Sequence, residues 1–256
     1  MTHDFDQLLQ SAAYAGQLLL ESGAEIYRVE DTICRICLNY GAQEASSIVL
    51  PTGIFVTIVA GGRSVSKIVR IKSRGLDIDR IDRINTLSRQ SRTLTLDEFL
   101  TQLRAIARLH PYSLSRRIAA GALGAGGFTL FFGGQFPDLC CALVIGGLIE
   151  GCSSILEQRQ FPSFFAISLC SALTALLAIV FNQTGLASSL DALIIGCLML
   201  LVPGLAITNA IRDSLSGDLI SGMTRGVEAF LIAIAVALGP GLVMSLWMML
   251  GGNPLW

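Results

Sequence analysis

Residues 190–226 read LDALIIGCLMLLVPGLAITNAIRDSLSGDLISGMTRG. The first part is apolar and long enough to cross a bilayer. Pro203-Gly204 interrupts it, and a polar turn follows with Thr208, Asn209, Arg212, Asp213, Ser214 and Asp218. A proline inside a helix removes a backbone donor and kinks the chain. In lipid the freed carbonyl must be met by protein or by water lining a cavity. Two readings fit: a structural kink, since Pro and Gly are common in membrane helices, or a broken helix that forms a solute site.

Working outward, the composition agrees with a membrane setting. The 256 residues are 52% hydrophobic and 14% charged, and mean hydropathy is +0.64. A soluble domain carries roughly a quarter charged residues. Charge is uneven: Met1 to Arg117 holds 15 Lys/Arg against 12 Asp/Glu, and the rest holds 3 against 7. A charged front half therefore precedes an apolar back half. The opening Met1 to Gln10 is polar and acidic, so no signal peptide is expected.

The back half contains five apolar segments, at about 118–136, 138–156, 163–184, 190–211 and 226–250, each near the ~20 residues of a span. The turn at Gln135 to Asp138 makes the first two a tight hairpin. Arg104, Arg108, Arg116, Arg117, Arg159, Arg212 and Arg225 all fall on one side of a five-span thread, while the opposite loops and the tail Gly251 to Trp256 have no Lys or Arg. By the positive-inside rule the N-terminal domain is cytosolic and the C-terminus outside. Glycines such as Gly121, Gly124, Gly146 and Gly147 suit close helix packing.

Glu150 is an ionisable group within a span, where a charge costs about 2.5–3.5 kcal/mol. It either snorkels to the cytosolic end or lines a polar seam with Ser153. Asn209, Asp213 and Glu228 fall at the same ends and are candidates for an inner vestibule; Asp213 and Asp218 also read as plain loop charges. Gly239-Pro240-Gly241 in the fifth span echoes Pro203-Gly204, so two broken spans and a solute pathway are expected.

The front half, residues 1–112, reads as an α+β domain. Phe5, Leu8, Leu9, Ala12, Gly16 and Leu19 form one helical stripe, and Gly23 is a helix stop. A second helix carries Ile26, Val29, Ile33 and Cys37. The stretch 46–71 is rich in β-branched residues, with turns at Pro51-Thr52-Gly53 and Gly61-Gly62, which predicts a three-strand meander. Thr95 with Glu98 is a capping box. Cys34 and Cys37 form a CxxC without a second pair. With His3 and His110 the only histidines, packing is favoured over a metal or redox role, and no metal or cofactor is expected. Nine basic against three acidic residues in 63–92 suit a solvated face or one held toward anionic lipid. They lack aromatics for stacking on nucleic acid. HExxH, GxSxG and P-loop patterns are absent, so no enzyme is expected.

Two stretches, 18–31 (LLLESGAEIYRVED) and 201–218 (LVPGLAITNAIRDSLSGD), resemble the threonine/serine exporter family. The first is similar to the opening of that family's cytosolic domain, with Glu21, Gly23, Glu25 and Arg28 as motif residues. The second is similar to its fourth-span signature. The resemblance implies a secondary exporter of small polar metabolites. Since the chain stops at Trp256, it implies the larger subunit of a split form with a second small multi-span membrane subunit. One split pair of the family is associated with succinate. The expected solute is therefore of the threonine/serine class or, alternatively, a dicarboxylate. A membrane-anchored sensor or scaffold is the third possibility.

Overall fold

A computed structural model describes residues 5–109 and 112–251. His3, His110 and the tail beyond Gly251 lie outside the described residues. The chain is mostly helical with one small sheet, and it divides into two compact units: Met1–His110 with Leu205–Gly226, and Pro111–Gly204 with Val227–Trp256.

The first unit opens with α1 (Phe5–Glu21) and α2 (Ile26–Asn39). Gly23, at φ +87°, turns the chain between them, and Gly41, at φ +94°, ends α2. These are left-handed positions that glycine adopts without a Cβ penalty. Three antiparallel strands follow in the order β1 (Glu44–Leu50), β2 (Gly53–Ala60) and β3 (Arg63–Arg70). The β2–β3 turn is Gly61-Gly62, with both φ values positive; two-residue hairpin loops of this kind match the strand twist. Alternation puts Ile54, Val56 and Ile58 on the buried face of β2. That face packs with Leu8, Ala12 and Leu19 of α1 and Val29, Ile33 and Ile36 of α2 into one apolar core. Gly16 lets α1 approach closely there: a Cβ would lie 2.7 Å from Ile33 Cγ1, so that side chain would have to shift. Helices α3 (Ile78–Gln90) and α4 (Leu96–Ala107) close the core with Ile84, Leu87, Phe99 and Leu103. The expected Thr95–Glu98 capping box is formed at the start of α4.

Cys37 is buried in this core, and burial pushes its thiol up to about 12. It packs as a protonated apolar group. On α3 the basic residues are matched locally, with Arg83 on Asp79 at 2.7 Å and Arg80 near Asp77 at 3.5 Å.

The second unit holds α5 (Leu114–Phe131), α6 (Phe136–Gln158), α7 (Ser163–Gln183) and α8 (Leu190–Leu198). α5 and α6 form the expected hairpin. Its turn lies at 132–135, not at Gln135 to Asp138, and Pro137 sits in the first turn of α6. There its missing N–H costs nothing. Backbones meet closely at Gly146, where a Cβ would lie 2.7 Å from the Gly121 carbonyl oxygen. Asp138 is fully buried and accepts the amides of Gln135, Ser188 and Ser189.

Among the described residues three helices are long and apolar enough to cross a membrane: α6, α7 and α10 (Leu219–Met249). The other two expected spans do not meet that length and hydropathy. α5 has 18 residues and carries Arg116 and Arg117 in its first turn. The stretch expected as a fourth span is two short helices, α8 with nine residues and α9 (Gly204–Leu215) with twelve. α8 rises only about 13 Å at 1.5 Å per residue, against roughly 30 Å of hydrocarbon. Pro203 stands just before α9, the place where a helix tolerates proline. The expected second break is absent. α10 runs unbroken through Pro240. Gly239 lies flush on α7, where a Cβ would come within 2.7 Å of the Ser168 carbonyl oxygen, and Ser171 Oγ donates to the Ala235 carbonyl at 3.3 Å. α7 thus meets α10 closely in the turn around Pro240.

Candidate functional site

The two sequence stretches that stood out separately meet in the first unit. Four consecutive residues, from the α1–α2 turn to the first residue of α2, each take a partner from 209–225. Asn209 Nδ2 donates to the Gly23 carbonyl at 3.2 Å. Arg225 donates to the Ala24 carbonyl at 2.8 Å. Arg212 pairs with the Glu25 carboxylate. Asp213 Oδ1 accepts the amide of Ile26 at 3.2 Å. Glu25 also holds Arg28 at 2.5 Å.

Local sequence explains the arrangement. Helix α2 begins without a side-chain cap of its own, since Glu25 at the N-cap makes none. The first amides of a helix need an acceptor, and a negative charge is favoured there. Asp213 supplies both from a distant part of the chain. Gly217, at φ +98°, turns α9 into α10. Gly222 then lets the start of α10 approach α9, since a Cβ there would lie 2.8 Å from the Ala210 carbonyl oxygen. That turn carries Arg225 back to Asp213, with Nε 3.3 Å from Oδ2. On the other side the 21–23 junction is held by the Gly75 amide on the Glu21 carbonyl at 2.8 Å and the Asp77 amide on the Ser22 carbonyl at 3.1 Å.

Burial sets the electrostatics. The Asp213 and Arg225 side chains are 0% and 6% exposed. Burial pushes the Asp213 carboxyl up, while Arg225 and the Ile26 amide pull it back. Glu25 is nearly as enclosed, but its partners Arg28 and Arg212 are half exposed, at 54% and 48%. The site is therefore a buried carboxylate carrying two guanidinium groups that reach solvent. Arginine forks match carboxylates in a bidentate way. The Ser22 hydroxyl, buried beside it, has no partner among the described residues. Glu30, one turn along α2, accepts the Val49 amide at 2.8 Å. Burial raises its carboxyl, opposed by that amide.

Of the residues read from sequence, Gly23, Glu25, Arg28, Asn209 and Asp213 are gathered in this cluster. Glu21 contributes its carbonyl there, and its carboxylate accepts from Gln17. The others belong to the second unit. Glu150 is not isolated in a small-residue seam: Arg117 Nε holds it at 2.7 Å, and the same guanidinium reaches Glu157 at 3.1 Å. Ser153 is half-buried on α6, Glu228 is exposed on α10, and Pro240 is buried in α10. Pro203 and Gly204 mark the α8–α9 break. Sequence reading missed Arg212, Arg225 and Arg117 as site residues, having taken them as orientation signals. Their one available cue was spacing from acids that had already been singled out.

Membrane-length apolar helices, one interrupted apolar segment and a separate charged unit are the parts of an integral-membrane transporter. The chain belongs to the threonine/serine exporter family (ThrE), which matches residues 10–247. It is similar to the "Probable succinate transporter subunit YjjP" of Escherichia coli (strain K12), at 20% identity over 235 residues, 91% of each chain. It is also similar to the protein of the same name from Klebsiella aerogenes, at 20% identity over 242 residues, 93% of this chain and 92% of that one. No solved structure matches.

Proposed function

We propose that the chain is one subunit of an exporter of small carboxylate-bearing metabolites, and that the 23–26 junction is where the solute carboxylate is first met. The observation that carries this is Glu25, a buried carboxylate bridging two half-exposed arginines. An incoming carboxylate has the same charge and fork geometry and can replace Glu25 on Arg28 or Arg212. Releasing those arginines loosens the junction that Asn209, Asp213 and Arg225 also hold. The family match supports threonine or serine as solute; the relatives' names support succinate and a second subunit. Both solute classes share the carboxylate.

The one-sided distribution of Lys and Arg supports a five-crossing thread in the inner membrane, with the N-terminal unit cytosolic, the C-terminus outside and lipid around α6, α7 and α10. The fourth crossing would be the interrupted stretch 190–211, since α8 alone is too short. The solute path would pass the Pro203-Gly204 break and draw on Glu150, Ser153, Glu228 and the face of α10 near Pro240.

Vesicles carrying this chain and a small membrane partner would be loaded with labelled threonine, serine or succinate. Efflux of one class, lost in Arg212→Ala and altered in KM by Glu25→Gln, is expected. No flux of any of the three would end the export reading. A sensor or scaffold role is favoured by one fact, that Asn209 and Asp213 sit with the N-terminal residues. It predicts flux untouched by Pro203→Ala and Glu150→Gln.

A further inference from the structure

The first unit contains a second polar feature that the export reading does not use. A cavity of about 300 Å³ lies among α1, β3 and α4. This is at the small end of metabolite pockets. Besides the buried Ser11, its α1 wall is Gln7, Gln10, Tyr14 and Gln17. Their spacing of three, four and three places them on one helical face, opposite the Leu8, Ala12 and Leu19 face that enters the core. The α1 positions that line the cavity carry neutral hydrogen-bonding groups; Glu21, one turn beyond Gln17 on the same face, accepts from that glutamine.

The opposite wall supplies the charge. Lys67 of β3 pairs in register with Val56, and its flanking pairs are Val65 with Ile58 and Val69 with Ile54. The three β2 partners are buried on the inner sheet face. Lys67 therefore stands at an inward position, where an apolar residue is the rule. Arg104 of α4 lines the same cavity. Among the described residues neither cation has an ion-pair or hydrogen-bond partner, and no carboxylate lines the space. Two acids hydrogen-bond to the α1 wall: Asp97 accepts from Gln7 and Glu21 from Gln17, each at 2.8 Å. Val69 and Leu100 add a short apolar patch. An inward lysine on an edge strand also discourages strand-to-strand association. That role accounts for Lys67 but not for Arg104 or the neutral stripe.

We infer that this cavity binds a small dicarboxylate, one carboxylate on Lys67 and the other on Arg104, with the α1 side-chain amides and Tyr14 completing the contacts. It is a binding site of the N-terminal unit, distinct from the 23–26 junction and independent of what the membrane helices carry. A solute bound there would report cytosolic acid levels to the unit.

The test is equilibrium dialysis of labelled succinate against the detergent-purified full chain, with hydrogen exchange to locate the contact. Saturable binding is expected, with slowed exchange in 65–70 and 100–104. Lys67→Met suits the inward position and should fold; with Arg104→Gln it should weaken the binding that protects 65–70 and 100–104 at least tenfold. Unchanged affinity in the double variant, or no protection at β3 and α4, would overturn the assignment. Equal competition by inorganic phosphate would overturn the dicarboxylate class. Binding is read without transport, so a failed flux assay leaves this result standing, and the reverse holds as well.

Discussion

Each unit contains an acid that looked functional from sequence alone, and the two are built differently. Asp213 in the first unit is fully buried, ion-paired to a buried arginine and bonded to a helix amide. Glu150 in the second is one quarter exposed and shares a one-third exposed arginine with Glu157. A buried pair is costly to assemble and costly to break, because the survivor is left charged and dry. A half-exposed pair can exchange its partner for water at little cost. The first arrangement fixes a structure; the second leaves an acid free to change partners.

The largest effect should come from breaking the buried pair. Asp213→Ala or Arg225→Ala is expected to cost about 3–5 kcal/mol, read as a large fall in thermal midpoint or loss of the folded chain on purification. A fall no greater than that of Glu150→Ala would erase the contrast between the units. Next comes the junction itself. Gly23→Ala places a Cβ at φ +87° and 2.8 Å from the Gly75 carbonyl oxygen, with an expected loss of about 1–3 kcal/mol. Chemical denaturation should show it.

Glu150→Gln should be milder, at about 0–1 kcal/mol of stability, with its main consequence in efflux rate. Equal loss of stability and flux would make Glu150 structural. The smallest effect concerns pH. Burial raises the Glu30 carboxyl in the folded chain. Such a group adds stability below its unfolded pKa and loses it as pH rises through the folded value. Glu30→Gln keeps an acceptor for the Val49 amide and should flatten the fall in thermal midpoint between mildly acid and neutral pH. An unchanged pH slope would count against this.

Much of the first unit was legible because its signals are local. The Gly61-Gly62 turn, the β-branched runs and the Thr95–Glu98 box each encode their element within a few residues. The membrane half was legible in composition but not in continuity. Pro203 and Pro240 look alike in sequence, each beside glycine, yet one precedes a new helix and the other lies inside an intact one. Ser171 and the α7 backbone lie against Gly239, tertiary contacts that no window around Pro240 contains. The candidate site was legible as two motifs but not as one place. Asn209, Arg212, Asp213 and Arg225 lie some 190 residues from their partners in the chain, and spacing cannot report contact over that distance.

The central claim is that a carboxylate solute competes with Glu25 for Arg28 and Arg212. Efflux of labelled threonine, serine and succinate from vesicles holding this chain with the proposed small membrane partner tests it most directly, with Glu25→Gln compared against the unaltered protein. The account predicts transport of one of these acids, with a clearly lower KM once Glu25 no longer competes. Transport with an unchanged KM in Glu25→Gln would contradict it.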